Sequence, residues 1–103
     1  MPTKWEIWLA NFKFEDNPAI VKARPVLVLS TDRVFFLSAK ITSHAPRAGF
    51  PNEYRIVRWK EAGLKTASTV RLSKRLDLVR TDFVHKIGRL HPFDIVAVQK
   101  LLS

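Results

Sequence analysis

The sequence predicts a small, mainly β fold with one C-terminal helix, and three observations lead there. Apolar and polar residues alternate with a period of two through much of the chain, and Pro, Gly, Asn and Asp punctuate the alternating runs. A helical period enters only after His91. The 103 residues lie in the size range of one compact unit and are too few for two independent cores, so residues 1–103 are expected to form a single domain. Hydrophobic residues make up 47% of the chain, enough to fill a core, so a fold is expected throughout apart from loops and ends.

Taken in order, Trp5, Ile7 and Leu9 alternate with Glu6, Trp8 and Ala10, which predicts a first strand over 5–12. Phe14 to Ala23 carries Glu15, Asp16, Asn17 and Pro18 without a sustained period and reads as a loop able to cover a binding face. Pro25 to Leu29 is apolar at both parities. That pattern fits a strand buried on both faces, or a short buried segment that period alone does not separate from helix. After a turn at Asp32-Arg33, Phe35, Leu37, Ala39 and Ile41 share one face, while Phe36, Ser38, Lys40 and Thr42 share the other, a row ending in Thr42.

Residues 43–52 contain Ser43, His44, Pro46, Arg47, Gly49, Pro51 and Asn52 and form a basic loop suited to phosphate contact. A fourth strand over 53–59 would turn Tyr54 and Ile56 inward, and Lys60 to Gly63 could make one helical turn closed by the glycine. Ser68 to Ser73 reads as a fifth strand with Val70 and Leu72 opposed to Thr69, Arg71 and Ser73. Leu76, Leu78 and Arg80 continue as a sixth strand or an irregular link. From His91 onward, Pro92 suits a first helical turn and Asp94 the positive helix end. Ile95, Val98, Leu101 and Leu102 recur at helical spacing, predicting a helix that packs on the β core.

Eighteen Lys and Arg against nine Asp and Glu give a formal charge of +9, which calls for a polyanionic partner. Nucleic acid comes first, ahead of an acidic protein or an anionic membrane surface. No apolar run approaches the ~20 residues of a membrane-spanning helix and no N-terminal stretch has the pattern of a signal peptide. A cytoplasmic protein without membrane association is therefore expected. The absence of cysteine excludes disulfides, thiolate nucleophiles and Cys-based zinc sites. His44, His85 and His91 lack metal-ligand spacing, and three glycines do not make a phosphate loop or dinucleotide fingerprint. Neither a metal nor a cofactor is expected.

What remains is a set of cations and hydroxyls: Arg24 before a proline, Thr42 and Ser43 at a strand end, and Arg71 between Thr69 and Ser73. A guanidinium offers a planar fork of donors to phosphate oxygens, and a hydroxyl adds a neutral donor. In RNA the 2′-hydroxyl itself can be the nucleophile, so a protein need only position the backbone, neutralise developing charge and move protons. Each residue also has a plain structural reading: a solvated arginine, a threonine favoured by β propensity. His44 lies in the basic loop and reads equally as a substrate contact or a surface residue, whereas His85 and His91 read as structural residues near a helix end. Trp8, Phe36 and Trp59 could stack on bases, or fill the core as most aromatics of a small fold must.

The order of motifs resembles the MazF/PemK family of toxin endoribonucleases over nearly the whole chain. It runs through Glu6-Ile7-Trp8, Lys22 to Ser30 with Arg24-Pro25, Lys40-Ile41-Thr42-Ser43, Gly63-Leu64-Lys65, Ser68 to Leu72 with Arg71, and Lys86 to Leu90. The resemblance implies an SH3-like small β-barrel, metal-independent cleavage of single-stranded RNA to 2′,3′-cyclic phosphate and 5′-hydroxyl ends, a cognate antitoxin, and a two-fold homodimer. It places Arg24 and Thr42 on the catalytic positions and Arg71 on the position of a general acid, with Ser43 contacting substrate. His44, Arg47, Thr69 and Ser73 complete the expected substrate-binding set. Two departures stand out: Ser73 occupies a position that holds an aspartate in the PemK-like branch, and Pro18 to Val21 replaces an acidic, glycine-rich pattern. Two other readings remain open, a non-catalytic nucleic-acid-binding module and a protein-directed toxin like the gyrase poisons of the same fold.

Overall fold

The computed structural model describes residues 1–13, 19 and 21–103. They contain β1 (Glu6–Lys13), β2 (Val21–Thr31), β3 (Phe36–Thr42), β4 (Glu53–Arg55), β5 (Thr69–Leu78), β6 (Phe83–Arg89) and α1 (Pro92–Leu102). The strands form one antiparallel sheet in the order β4-β5-β3-β2-β1-β6. The mainly β fold with a C-terminal helix is thus as expected. No described helix is long and apolar enough to cross a membrane.

The sheet buries apolar side chains on both faces. On one, Trp5, Ile7, Leu27, Leu29, Ala39, Ile41 and their neighbours form the main core, capped by Val98 of α1. On the other, Ala10, Val26 and Leu78 form a smaller cluster with Trp8, Leu76 and Phe83. This is why Val26 to Leu29 is apolar at both parities: all four residues are buried. It also corrects the polar row expected on β3. Phe36 and Ser38 are buried, Phe36 lying edge-on to Phe83 with ring centroids 5.3 Å apart, while Phe35 precedes the strand and is exposed. Only Lys40 and Thr42 of that row remain partly open.

Several element boundaries shift for local reasons. Residues 21–23, expected in a loop, already pair with β1, whereas residues 14–18 and 20 of that loop lie outside the described residues. β4 is only three residues long, and Ile56 leaves the strand but still enters the core. β5 runs unbroken to Leu78 and absorbs the expected sixth strand. Its register against β3 jumps between the Ala39–Arg75 and Lys40–Arg71 pairs, so Leu72 to Lys74 form a bulge that hides the continuity in sequence. The strand Phe83–Arg89 has no clear alternation because it is a sheet edge and none of its residues is fully buried.

Closure of the sheet is partial. β4 and β6 are its edges, and no ladder joins them among the described residues, so backbone pairing does not complete a barrel. The turn after β4 nevertheless packs against β6. Gly63 adopts φ of 93°, the left-handed region that glycine enters without penalty, and a Cβ there would stand 2.5 Å from the Ile87 carbonyl oxygen. Trp5 is the one described non-glycine residue with positive φ, 72°. Its strained backbone is held at both ends: its N–H donates to Val28 O and its carbonyl accepts from Leu90 N, each at 2.8 Å.

Helix α1 is fastened at its first turn. His91 caps it, Nδ1 accepting from Phe93 N at 3.0 Å. Asp94 is fully buried and does more than complement the helix dipole. Its carboxylate accepts from Val57 N at 2.9 Å, Arg58 N at 2.8 Å and the Tyr54 hydroxyl. Burial first, then this hydrogen bond to Asp94, raises the Tyr54 phenol above its ordinary range. Val98 meets the core and Ile95 packs beside it, whereas Leu101 and Leu102 stay largely exposed.

Candidate functional site

A cleft of about 820 Å³ opens where the ends of β2 and β3 meet β5, the Gly63–Thr66 turn and β6. Arg24, Lys40, Lys65, Arg71 and Lys86 line it together with His44 and His85 and the hydroxyls of Thr42, Ser43, Thr66 and Ser68. Among the described residues its lining contains no carboxylate. Five cations around one concavity, with no acid among the described lining residues, focus positive potential, an arrangement suited to a polyanion.

Sheet register assembles the three residues expected to be catalytic. The β2–β3 ladder pairs Val28 with Ser38 and Val26 with Lys40, and extending it by two residues sets Arg24 across from Thr42. On the other side of β3, Lys40 pairs with Arg71 and Thr42 with Thr69. Arg24, Thr42 and Arg71 therefore line one cleft from three adjacent strands, and Ser43 and His44, just beyond the end of β3, line it too.

The backbone around Thr42 is tightly fastened. Thr42 Oγ1 accepts from His44 N at 3.3 Å, and the His44 carbonyl accepts from Thr69 Oγ1 at 2.7 Å and Arg55 Nη1 at 3.2 Å. Arg55 also donates to Thr69 Oγ1 at 3.1 Å. Thr69 is fully buried, so it braces the Ser43-His44 segment from behind and lies outside the cleft lining. Arg47 is outside it too. Its Nε donates to Glu53 Oε2 at 3.0 Å, its backbone N–H to Glu53 Oε1 at 2.9 Å, and its guanidinium lies 3.7 Å over Phe50. Ser73, on the β5 bulge, is exposed and likewise not part of the lining.

Sequence reasoning gave no site role to Lys40, Lys65, Thr66, Lys86, Phe12 or Leu64, all of which line the cleft. Lys65 belongs to the Gly63-Leu64-Lys65 motif, so a signal existed. Nothing in the local sequence places Phe12 there, with Lys40 Nζ 4.8 Å over its ring. His85 sits in the middle of β6 and faces the cleft, rather than near a helix end. Trp8 packs against the smaller cluster, Phe36 lies edge-on to Phe83 beside it, and Trp59 packs against the main core, so none of these three aromatics lines the cleft.

Two carboxylates stand just behind the cationic lining. Lys86 Nζ is 2.9 Å from Glu6 Oε2, and Glu6 Oε1 accepts from Trp8 Nε1 at 3.0 Å and Thr3 N at 2.8 Å. Burial would raise the Glu6 pKa, but the hydrogen bonds from Lys86, Trp8 and Thr3 outweigh it and bring it down to about 2. Glu53, its side chain wholly covered, lies between Arg47 and Arg71. The hydrogen bonds from Arg47 hold its carboxyl below the usual carboxylate range despite burial, aided by the charges of Arg47 and Arg71. Among the described residues no group of three or more His, Asp or Glu is placed to hold a metal ion.

A family model described as PemK-like, MazF-like toxin of type II toxin-antitoxin system matches residues 3–103. No curated protein matches the chain. Among solved structures the chain resembles toxin MazF-mt6 of Mycobacterium tuberculosis, 22% identical with a TM-score of 0.72 over 94% of this chain and 91% of that one. It resembles an endoribonuclease in complex with its cognate antitoxin from a mycobacterial species, 13% identical with a TM-score of 0.76 over 99% and 91% of the two chains. A chain of the MazE-MazF complex from Deinococcus radiodurans is 18% identical, with a TM-score of 0.71 over 98% and 92%. At these identities the likeness is one of fold.

Proposed function

The chain belongs to the PemK-like, MazF-like toxins of type II toxin–antitoxin systems, and from that premise we propose that it is an endoribonuclease that cuts single-stranded RNA without a metal. The observation that carries this reading is the cleft itself: Arg24, Thr42 and Arg71 converge from three strands on a concavity whose described lining holds five Lys and Arg side chains and no carboxylate. Such a site suits a phosphodiester whose negative charge grows during reaction.

In the proposed step the 2′-oxygen bonds to phosphorus, the bond from phosphorus to the 5′-oxygen breaks, the 2′-proton leaves and the departing 5′-oxygen takes up a proton. The products are a 2′,3′-cyclic phosphate and a 5′-hydroxyl. Arg24 stabilises the phosphorane and takes part in the proton transfer, Thr42 orients the scissile phosphate, and Arg71 protonates the leaving group. Ser43 and His44 contact the substrate at the end of β3. Positioning and charge neutralisation supply most of the acceleration, because the nucleophile already belongs to the substrate.

A cognate antitoxin fits the +9 charge and the capture of a mycobacterial endoribonuclease of this fold with its own antitoxin. A two-fold homodimer would extend the cleft into a groove for several nucleotides. We take the sheet, pinched at Gly63 and Gly88, to be an SH3-like barrel whose last seam is closed by packing. Incubating the purified protein with a long single-stranded RNA in EDTA tests the activity, with fragments ending in 2′,3′-cyclic phosphate expected. Intact RNA at enzyme excess, with salt-sensitive binding, would instead support a binding module. Co-purification with a topoisomerase and no RNA cleavage would support a protein-directed toxin.

A further inference from the structure

We infer that Glu53 is a positioning residue for Arg71: it anchors the Nε side of the guanidinium and leaves both Nη groups for a phosphate in the cleft. The inference rests on the reading of the cleft as an RNA site. Glu53 and Arg71 are direct cross-strand partners on β4 and β5. Glu53 Oε2 lies 3.5 Å from Arg71 Nε, and the Glu53 side chain is wholly covered while that of Arg71 retains 24% of its exposure. Arg71 Nε is buried and has no hydrogen-bond partner, so the Glu53 carboxylate is the charge beside it. An arginine carries five N–H donors, of which Nε supplies one. No described hydrogen bond takes up the four on Nη1 and Nη2.

The electrostatics of the neighbouring strands show why an anchor matters. Lys40 stands directly across from Arg71 on β3, a like-charge pair that favours separation. Glu53 on the opposite strand offsets that repulsion and draws the Nε end toward β4. Glu53 is itself set by Arg47, whose backbone and side chain occupy both carboxylate oxygens, so the anchor is rigid and stays ionised. A buried anion shared by two arginines fixes the approach of the one that faces the cleft. Without it, Arg71 would be free to turn away from Lys40.

The test reads Arg71 directly by NMR. In the full chain, the Nε–Hε resonance of Arg71, assigned by its loss in Arg71→Lys, should exchange with water on the order of tenfold more slowly than that of exposed Arg33. Glu53→Gln should remove this protection, lower kcat roughly 10- to 100-fold and leave KM nearly unchanged. In an Arg71→Lys background, Glu53→Gln should lower kcat no further. Exchange at Arg71 as fast as at Arg33 in the wild-type protein would overturn the inference, even if Glu53→Gln fails to fold. Equal losses of kcat from Glu53→Gln in both backgrounds would overturn it as well. If the wild-type protein cuts no RNA, the proposed reaction fails by itself, and the Arg71 exchange rate still decides whether Glu53 anchors it.

Discussion

Gly88 lies so close to Ala62 that a Cβ atom on Gly88 would stand 1.9 Å from the Ala62 carbonyl oxygen. The two residues belong to opposite ends of the sheet, one on the edge strand β6 and the other in the turn after β4. Their contact draws those ends together without a hydrogen-bonded ladder, and it sets the turn carrying Lys65 and Thr66 beside the strand carrying His85 and Lys86. Fold closure and cleft shape thus depend on the same absent side chain.

Gly88→Ala should therefore destabilise the protein by about 1–3 kcal/mol or more, because the clash is with backbone and no rotamer relieves it. A urea titration of the variant would show a lower midpoint. A midpoint equal to that of the wild-type protein would mean that β6 and the Ala62 turn separate easily.

Acid stability should carry the mark of Glu6. Its folded pKa of about 2 lies below the ordinary value of 4.5, so its contribution is present above pH 4.5 and fades as pH falls toward 2. Glu6→Gln should flatten the loss of stability across that window, measured as the urea midpoint against pH. The Glu53 carboxyl, also held low, contributes in the same direction and leaves a residual slope. An unchanged curve in Glu6→Gln would show that its hydrogen bonds to Lys86, Trp8 and Thr3 do not persist in solution.

Catalysis and folding should separate by substitution. Arg24→Ala and Thr42→Ala should each lower RNA cleavage by roughly 10²- to 10³-fold with little change in melting temperature, since both side chains line the cleft. Val28→Asp should instead abolish the fold, because Val28 is fully buried and a carboxylate there has no partner. Wild-type cleavage by Arg24→Ala would refute the assignment of that residue.

Lys65 and Lys86 should differ in their effect on RNA affinity. Lys86 is paired with Glu6, whereas no described residue forms an ion pair with Lys65. For a 2′-deoxy analogue, the slope of log affinity against log salt should weaken by about 0.7 in Lys65→Gln and by less in Lys86→Gln. Fluorescence anisotropy across a salt series measures both. Equal changes would mean that the Glu6 pair opens when nucleic acid binds.

Much of the fold was legible because its signals are local. Trp5 to Ala10, Pro25 to Leu29 and Ser68 to Ser73 alternate or run apolar as the strands require, and Pro92 with Asp94 marks the start of the helix. Edge strand β6 was not legible, because an edge buries too little to impose a pattern. The unity of β5 was hidden by a bulge whose Ser73 and Lys74 face solvent. Phe36 and Ser38 were misplaced for a related reason: a second cluster covers the face that one-sided alternation assigns to water.

Composition alone determined that this protein is strongly basic, free of cysteine and apolar enough to fold, and strand and helix periods determined its mainly β class. Motif order placed Arg24, Thr42 and Arg71 on the list of residues to watch. Only the tertiary structure decided that these three share a cleft with Lys40, Lys65 and His85, while Thr69 and Arg47 serve behind or beside it. The reason is physical. A residue's chemistry and its local period are written in a few neighbouring positions, but which side chains meet depends on register between strands distant in the chain. Here the bulges at Leu29 and at Leu72 to Lys74 set that register.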